Sequence, residues 1–120
     1  MPIKPSYRTL AVQAARAADE KKGIDIVVLD IHASSDLTDF VVIASAESSA
    51  QQAALQNTIE EVLREKGLRP LHRDGNPRDR WMVVDYGAIM VHILLVEARE
   101  FYRLDQLWET SKKVAWEKRS

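Results

Sequence analysis

The stretch Trp81-Met82-Val83-Val84-Asp85-Tyr86-Gly87-Ala88-Ile89-Met90-Val91-His92-Ile93-Leu94-Leu95-Val96 reads as a β-hairpin. Trp81 to Asp85 is one strand, Tyr86-Gly87 a turn, and Ile89 to Val96 a long apolar strand. Upstream, Ile24 to Ile31 and Phe40 to Ala44 are compact runs rich in β-branched residues. Both are too short for buried helices and are bounded by Asp, Ser and Thr clusters, so they read as two strands joined through Ala33 to Thr38. A helical pattern separates the two strand pairs. Strands divided by a helix, beside strands joined by short turns, predict an α/β fold with a mixed β-sheet and helices packed on it.

The first helix is expected around Leu10, Ala11, Ala14, Ala15 and Ala18, with Lys21-Lys22-Gly23 as its cation-then-glycine ending. Ser48-x-x-Gln51 has the spacing of a capping box, in which the serine oxygen accepts the Gln51 N–H and the glutamine reaches back to the Ser48 N–H. The second helix starts there and offers Leu55, Ile59, Val62 and Leu63 to the core. Glu60 and Glu61 lie away from that face, and Lys66-Gly67 closes the helix. Leu68 to Leu71 is a candidate short strand, and Asp74-Gly75-Asn76-Pro77 is a turn. Phe101, Leu104, Trp108, Ser111 and Ala115 fall on one stripe of a last helix, beginning near Arg99 and running toward Glu117-Lys118-Arg119. The whole is expected to be one domain, 1–120, with 111–120 as a charged C-terminal extension.

At 120 residues, 46% of them hydrophobic and 29% charged, the chain is long enough for one core burying roughly two-thirds of its unfolded surface. Seventeen basic residues against 18 acidic ones give a net charge of -1, which argues against nucleic acid or anionic lipid being held by bulk charge. Neutrality is an average over opposed regions. No lysine or arginine occurs from Gly23 to Leu63, where Asp25, Asp30, Asp36, Asp39, Glu47, Glu60 and Glu61 are concentrated, and both flanking segments are net basic. With no cysteine there is no disulfide framework, thiolate metal site or cysteine nucleophile, and a reducing cytoplasm fits best. The N-terminus lacks the apolar core of a secretory signal, and no window approaches the roughly 18 apolar residues of a membrane span. A soluble cytoplasmic protein is expected.

Few constellations carry chemistry. His32, His72 and His92 are far apart in sequence and none has a second ligand at helical spacing, so no metal site and no cofactor is expected, and His92 inside a strand reads as structural. Gly23, Gly67, Gly75 and Gly87 are isolated at turns, which gives no phosphate-binding loop. Asp39 and Asp85 at strand ends leave a Mg²⁺-dependent phosphoryl-transfer site conceivable, against the plainer reading of turn residues bonding their own backbone. No G-x-S-x-G elbow occurs, so Ser34, Ser35, Ser45, Ser48 and Ser49 support no triad. No catalytic residue is assigned.

Surface recognition has more material. Trp81, Val83 and Asp85 share one face of their strand and Met82, Val84 and Tyr86 the other, so one of the two aromatics lies off the core. Arg99, Phe101, Tyr102 and Trp108 combine the residue types that dominate interface hot spots, although the stripe above would put Phe101 and Trp108 in the core. Arg78-Asp79-Arg80 is either a solvated turn or the charged rim of the same patch.

Thr38-Asp39-Phe40-Val41-Val42-Ile43, then Ser48 and Gln51, then Trp81 through Gly87, Val91-His92-Ile93, and Arg99-Glu100-Phe101-Tyr102-Arg103-Leu104-Asp105-Gln106-Leu107-Trp108 together resemble the ribosomal silencing factor, or Iojap, family. The resemblance runs in order from about Ala17 to Trp108 and leaves Lys112 to Ser120 outside. Two departures stand out: Ala46-Glu47 where the family has a glycine before the serine, which argues against a φ > 0 turn there, and Asp74-Gly75 where it has Glu-Gly. The resemblance implies a nucleotidyltransferase-like fold, often as a homodimer. It also implies binding to the large ribosomal subunit through its fourteenth ribosomal protein, so that the small subunit is kept from joining and translation is repressed. The enzyme-like fold need not carry enzyme chemistry, since the Gly-Ser and Asp-x-Asp motifs of a nucleotidyltransferase are missing. Trp81, Asp85, Tyr86, Arg99 and Tyr102 are the expected partner-binding residues, with neither DNA nor membrane as partner. A Mg²⁺-dependent nucleotidyltransferase and a dimeric scaffold without ribosome binding are the alternatives.

Overall fold

The computed structural model describes residues 6–75 and 80–117. Its elements run α1 (Tyr7–Glu20), β1 (Ile24–Asp30), β2 (Phe40–Ala46), α2 (Ser49–Glu65), β3 (His72–Asp74), β4 (Trp81–Asp85), β5 (Ile89–Leu95), α3 (Val96–Tyr102), a 3₁₀-helix (Leu104–Trp108) and β6 (Lys112–Lys113). The six strands form one sheet in the order β3-β4-β5-β2-β1-β6. Two antiparallel pairs, β1 with β2 and β4 with β5, meet at a parallel junction of β2 and β5 that runs from Phe40 opposite Ile89 to Ala46 opposite Leu95. The mixed sheet expected from the sequence is the one observed.

Period-two alternation sorts the strands between two faces. Val28, Val42, Ala44, Val84, Tyr86, Ile89, Val91 and Ile93 face α1 and α2. Leu29, Val41, Ile43 and Leu94 face the other way, under Ala98 of α3 and Leu104 of the 3₁₀-helix. The alanines of α1 explain the closeness of the first layer. Ala11, Ala14, Ala15 and Ala18 are fully buried, and their small side chains let the helix backbone approach both sheet and α2.

The caps follow the sequence with two shifts. Ser6 caps α1 through Thr9 N–H, and the Ser48 hydroxyl accepts the Gln51 N–H at 3.1 Å as expected. The Gln51 carbonyl oxygen, however, takes the N–H of Glu47, one residue earlier than expected, while its amide donates to the carbonyls of Lys21 and Lys22 and so ties the end of α1 to the start of α2. After α1 the left-handed residue is Lys22 rather than Gly23. A Cβ on Gly23 would lie 3.1 Å from the Ala18 carbonyl and against Leu55, so glycine is needed there for space. Gly67, at φ +87°, closes α2 as predicted. Among the described non-glycine residues only Lys22, Asp25 and Arg103 have positive φ, so Ala46-Glu47 passes without a left-handed turn, in line with the missing glycine.

Three expectations are corrected. The strand expected at Leu68 to Leu71 lies at His72–Asp74, and because all three of its residues are exposed it has no apolar alternation to announce it. Glu60 lies off the apolar face of α2 as expected, where it is half-buried and accepts Nε and Nη2 of Arg73, whose guanidinium holds the Glu60 carboxyl below its usual range. The last helix is not continuous. It ends at Tyr102, Arg103 turns left-handed at φ 50°, and the 3₁₀-helix that follows points Leu104 inward. The charged extension expected from residue 111 instead returns to the sheet, as β6 on β1 with Val114 buried behind it. Trp116 donates its indole N–H to the Ile26 carbonyl, and Arg16 bonds the Trp116 carbonyl. The turn residues Asn76 and Pro77, and Arg78 and Asp79, lie outside the described residues.

Candidate functional site

The segment from α3 through the 3₁₀-helix exposes three large apolar side chains. Phe101 is 79% exposed, Leu107 66% and Tyr102 54%. The break at Arg103 is the cause: on a continuous helix Phe101 would share the inward stripe of Leu104 and Trp108, but the left-handed turn reorients the chain and leaves Phe101 outward. The sequence carries no signal for this break, since neither glycine nor proline marks it.

An aromatic array leads inward from these residues. Phe101 meets Tyr102 edge to face at 5.1 Å between centroids, and Tyr102 meets Trp81 at 5.1 Å. Trp81 meets His92 at 5.9 Å, and His92 meets Trp108 at 5.7 Å. Strand pairing sets the central part, because β4 and β5 place Val83 opposite His92 and so put Trp81 diagonally beside it on the same face. The Trp81 indole N–H donates to His92 Nδ1 at 3.0 Å. His92 is buried, and desolvation pushes its pKa down to about 4, so the imidazole is neutral at physiological pH. The reading of His92 as a structural histidine agrees with this environment.

Arg99 stands apart from the array and is buried toward β1 and β2. It is 8% exposed, and its Nε and Nη2 bond the two carboxylate oxygens of Asp105 at 3.0 Å each. Its Nη1 donates to the Asp25 carbonyl and to the Ser45 hydroxyl. Asp25 is at φ 48° inside the irregular pairing of β1 with β2, so Arg99 ties α3 and the 3₁₀-helix to a bulge in the sheet. Tyr86 is likewise withdrawn. It is 4% exposed on the α1/α2 face, where burial raises its phenol pKa. The sequence left open which of Trp81 and Tyr86 is off the core; it is Trp81, half-buried on the α3 face. Of the five expected contact residues, Trp81 and Tyr102 are thus brought together, Asp85 lies at the far end of β4, and Arg99 and Tyr86 present little or no surface.

Of the two strand-end carboxylates, that of Asp85 takes the plainer reading of a turn residue. Asp85 accepts the Gly87 N–H at 2.7 Å, closing the β4–β5 turn, and the exposed Asp39 bonds the Ala88 carbonyl through its main chain. His32 pairs with Asp30 and His72 with Asp74, both near the surface, and among the described residues no cluster of three or more His, Cys, Asp or Glu is placed to hold a metal ion. No described helix is long and apolar enough to cross a membrane.

Residues 4–120 match the family model described as "Ribosomal silencing factor during starvation". The chain belongs to the ribosomal silencing factor family. The match reaches beyond the Ala17 to Trp108 span at both ends and takes in the segment that forms β6. A ribosomal silencing factor of Halalkalibacterium halodurans is 30% identical over 112 residues, covering 93% of this chain and 96% of its own. The chloroplastic Iojap protein of Zea mays is 32% identical over 100 residues, 83% of this chain and 43% of the maize protein. In three dimensions the chain superposes on the crystal structure of a Chromobacterium violaceum protein with a TM-score of 0.83 and 28% identity, covering 97% of this chain and 92% of that one. The family places the chain in ribosome silencing and translation regulation.

Proposed function

We propose that this protein binds the large ribosomal subunit through its fourteenth ribosomal protein and keeps the small subunit from joining, acting in the cytoplasm by steric exclusion and without catalysis. The family supplies the ribosomal setting, and the exposed aromatic cluster supplies a surface. The observation that carries the reading is the juxtaposition of Trp81 and Tyr102 with the outward Phe101, a small aromatic patch of the kind that anchors protein interfaces, with Leu107 exposed on the 3₁₀-helix that follows. Trp81 is the anchor and Tyr102 its polar-tipped neighbour. Asp85 belongs to the turn at the edge of this surface, while Arg99 acts indirectly by fixing α3 and the 3₁₀-helix.

Gradient sedimentation of separated subunits with and without the protein tests the reading. Co-migration with large subunits and loss of joined ribosomes are expected, and both should vanish with folded Trp81→Ala. A folded mutant that still binds removes Trp81 from the surface. The same exposed apolar groups favour a second reading, self-association into a homodimer. Sizing chromatography separates the two, because a patch used only for self-association requires Trp81→Ala to become monomeric while ribosome binding is absent in the wild type.

A further inference from the structure

We propose that His92 is a positioning residue for the binding surface: its unprotonated Nδ1 holds the Trp81 indole in the orientation that meets Tyr102. The inference rests on Trp81 being the anchor proposed above. An indole nitrogen can only donate, so the 3.0 Å contact requires Nδ1 to be the acceptor and the proton of the neutral ring to sit on Nε2. Nothing else among the described residues bonds either ring nitrogen, and Nε2 is buried without a partner. A histidine that merely filled space would do so at lower cost as phenylalanine, because a buried polar group without its full set of hydrogen bonds is unfavourable. What the imidazole supplies that a phenyl ring lacks is one acceptor, directed at one indole.

The location gives that bond its consequence. Trp81 is half-buried on β4, near the sheet edge, where only the three-residue β3 lies outside it, and its ring contacts Tyr102 on the short α3. Ring stacking alone tolerates rotation about the side-chain torsions, whereas a directional N–H···N bond selects one rotamer. His92 is itself held by the ladder of the central strand β5 and by the Trp108 ring, so it transmits the rigidity of the sheet to a side chain at the surface.

The test uses the full-length protein labelled with ¹⁵N. In the wild type, long-range proton–nitrogen spectra should show His92 protonated at Nε2, with a Trp81 indole N–H protected from exchange and assigned by its loss in Trp81→Phe. His92→Phe keeps a ring between Trp81 and Trp108 but removes the acceptor. It should melt no lower than the wild type, lose indole protection, and bind large subunits roughly tenfold more weakly. His92→Asn, whose Oδ1 occupies the place of Nδ1, should recover most of both. A proton on Nδ1 in the wild type overturns the proposal, as does a folded His92→Phe with unchanged indole exchange and binding, or an Asn variant no better than Phe. If His92→Phe does not fold, the wild-type tautomer and exchange decide the matter. If Trp81→Ala binds subunits normally, the surface reading falls while the indole exchange in His92→Phe still judges the positioning role.

Discussion

On one face of the sheet, two helices of 14 and 17 residues seal a cluster of nineteen buried hydrophobic residues; on the other, a seven-residue helix and a 3₁₀-helix cover only seven, counted among the described residues. The thick side is mainly alanine, valine, leucine and isoleucine, interrupted by the Tyr86 hydroxyl and by Gln52, whose amide donates to the Ile93 carbonyl. The thin side holds His92, Arg99 and Ser45 among its buried residues and ends in exposed aromatics. A layer built from short helices cannot bury every large side chain it carries, and buried polar groups then fix the geometry of those left at the surface. Stability is concentrated on the first face, and the recognition surface proposed above lies on the second.

Substitutions on the thick face should act on folding most of all. Ile59 is fully buried between α2 and the sheet, and Ile59→Ala is expected to cost about 2–5 kcal/mol in urea or thermal unfolding. At a temperature where the mutant stays folded, ribosome binding should be unchanged.

Acid should strike the thin face first. Burial on folding lowers the His92 pKa from the ordinary imidazole value of 6.5 to about 4, so the unfolded chain takes up a proton at a higher pH than the folded one. Stability from this group is therefore intact above about pH 6.5 and is lost as pH falls toward 4, roughly 3 kcal/mol in all. Asp30 and Glu60, whose carboxyl pKa values are also depressed by their partners, add a loss at lower pH. The difference in unfolding free energy between wild type and His92→Phe, followed from pH 7 to 5, isolates the histidine; a constant difference would contradict its burial as a neutral ring.

Trp81→Ala should weaken large-subunit binding by tenfold or more, on the scale of an interface anchor, with a smaller loss of stability because the ring is half-buried. Phe101→Ala sharpens the contrast further. With 79% of the residue exposed, the change in stability is expected to stay within about 0.5 kcal/mol, while binding to large subunits falls measurably. The smallest effect expected is that of salt. Binding should decline modestly as ionic strength rises, reflecting the acidic stretch from Asp25 to Glu61, and should survive nuclease trimming of exposed rRNA.

The thick face was also the legible one. Alanines at helical spacing, β-branched runs, Ser48 and Gly67 each act through local chemistry, and each marked its element within a residue or two. The thin face depends on choices made between distant residues. The spacing of Phe101 to Leu104 and Trp108 points it to the core only on an unbroken helix, whereas the tertiary clamp of Arg99 on Asp105 and on the β1 bulge accompanies a turn of the chain at Arg103. Strand β6 is silent in the sequence for the same reason. Lys112-Lys113 has no strand composition, and it pairs with β1 where Trp116 and Val114 anchor the chain beside it. Residue type and strand parity single out Trp81 and Tyr102 as candidate contact residues, whereas the bond from Trp81 to His92 depends on the register of β4 and β5.

The parallel β2–β5 junction has a consequence for the order of folding. Each antiparallel hairpin closes a short loop, but bringing Phe40 to Ile89 closes one of nearly fifty residues, so its entropy must be met before any contact across the junction can form. The two hairpins can assemble early and separately, with α2 as the tether between them. Trp81 and His92 both belong to the second hairpin, so the bond that orients the anchor is made of residues that meet before the sheet is complete.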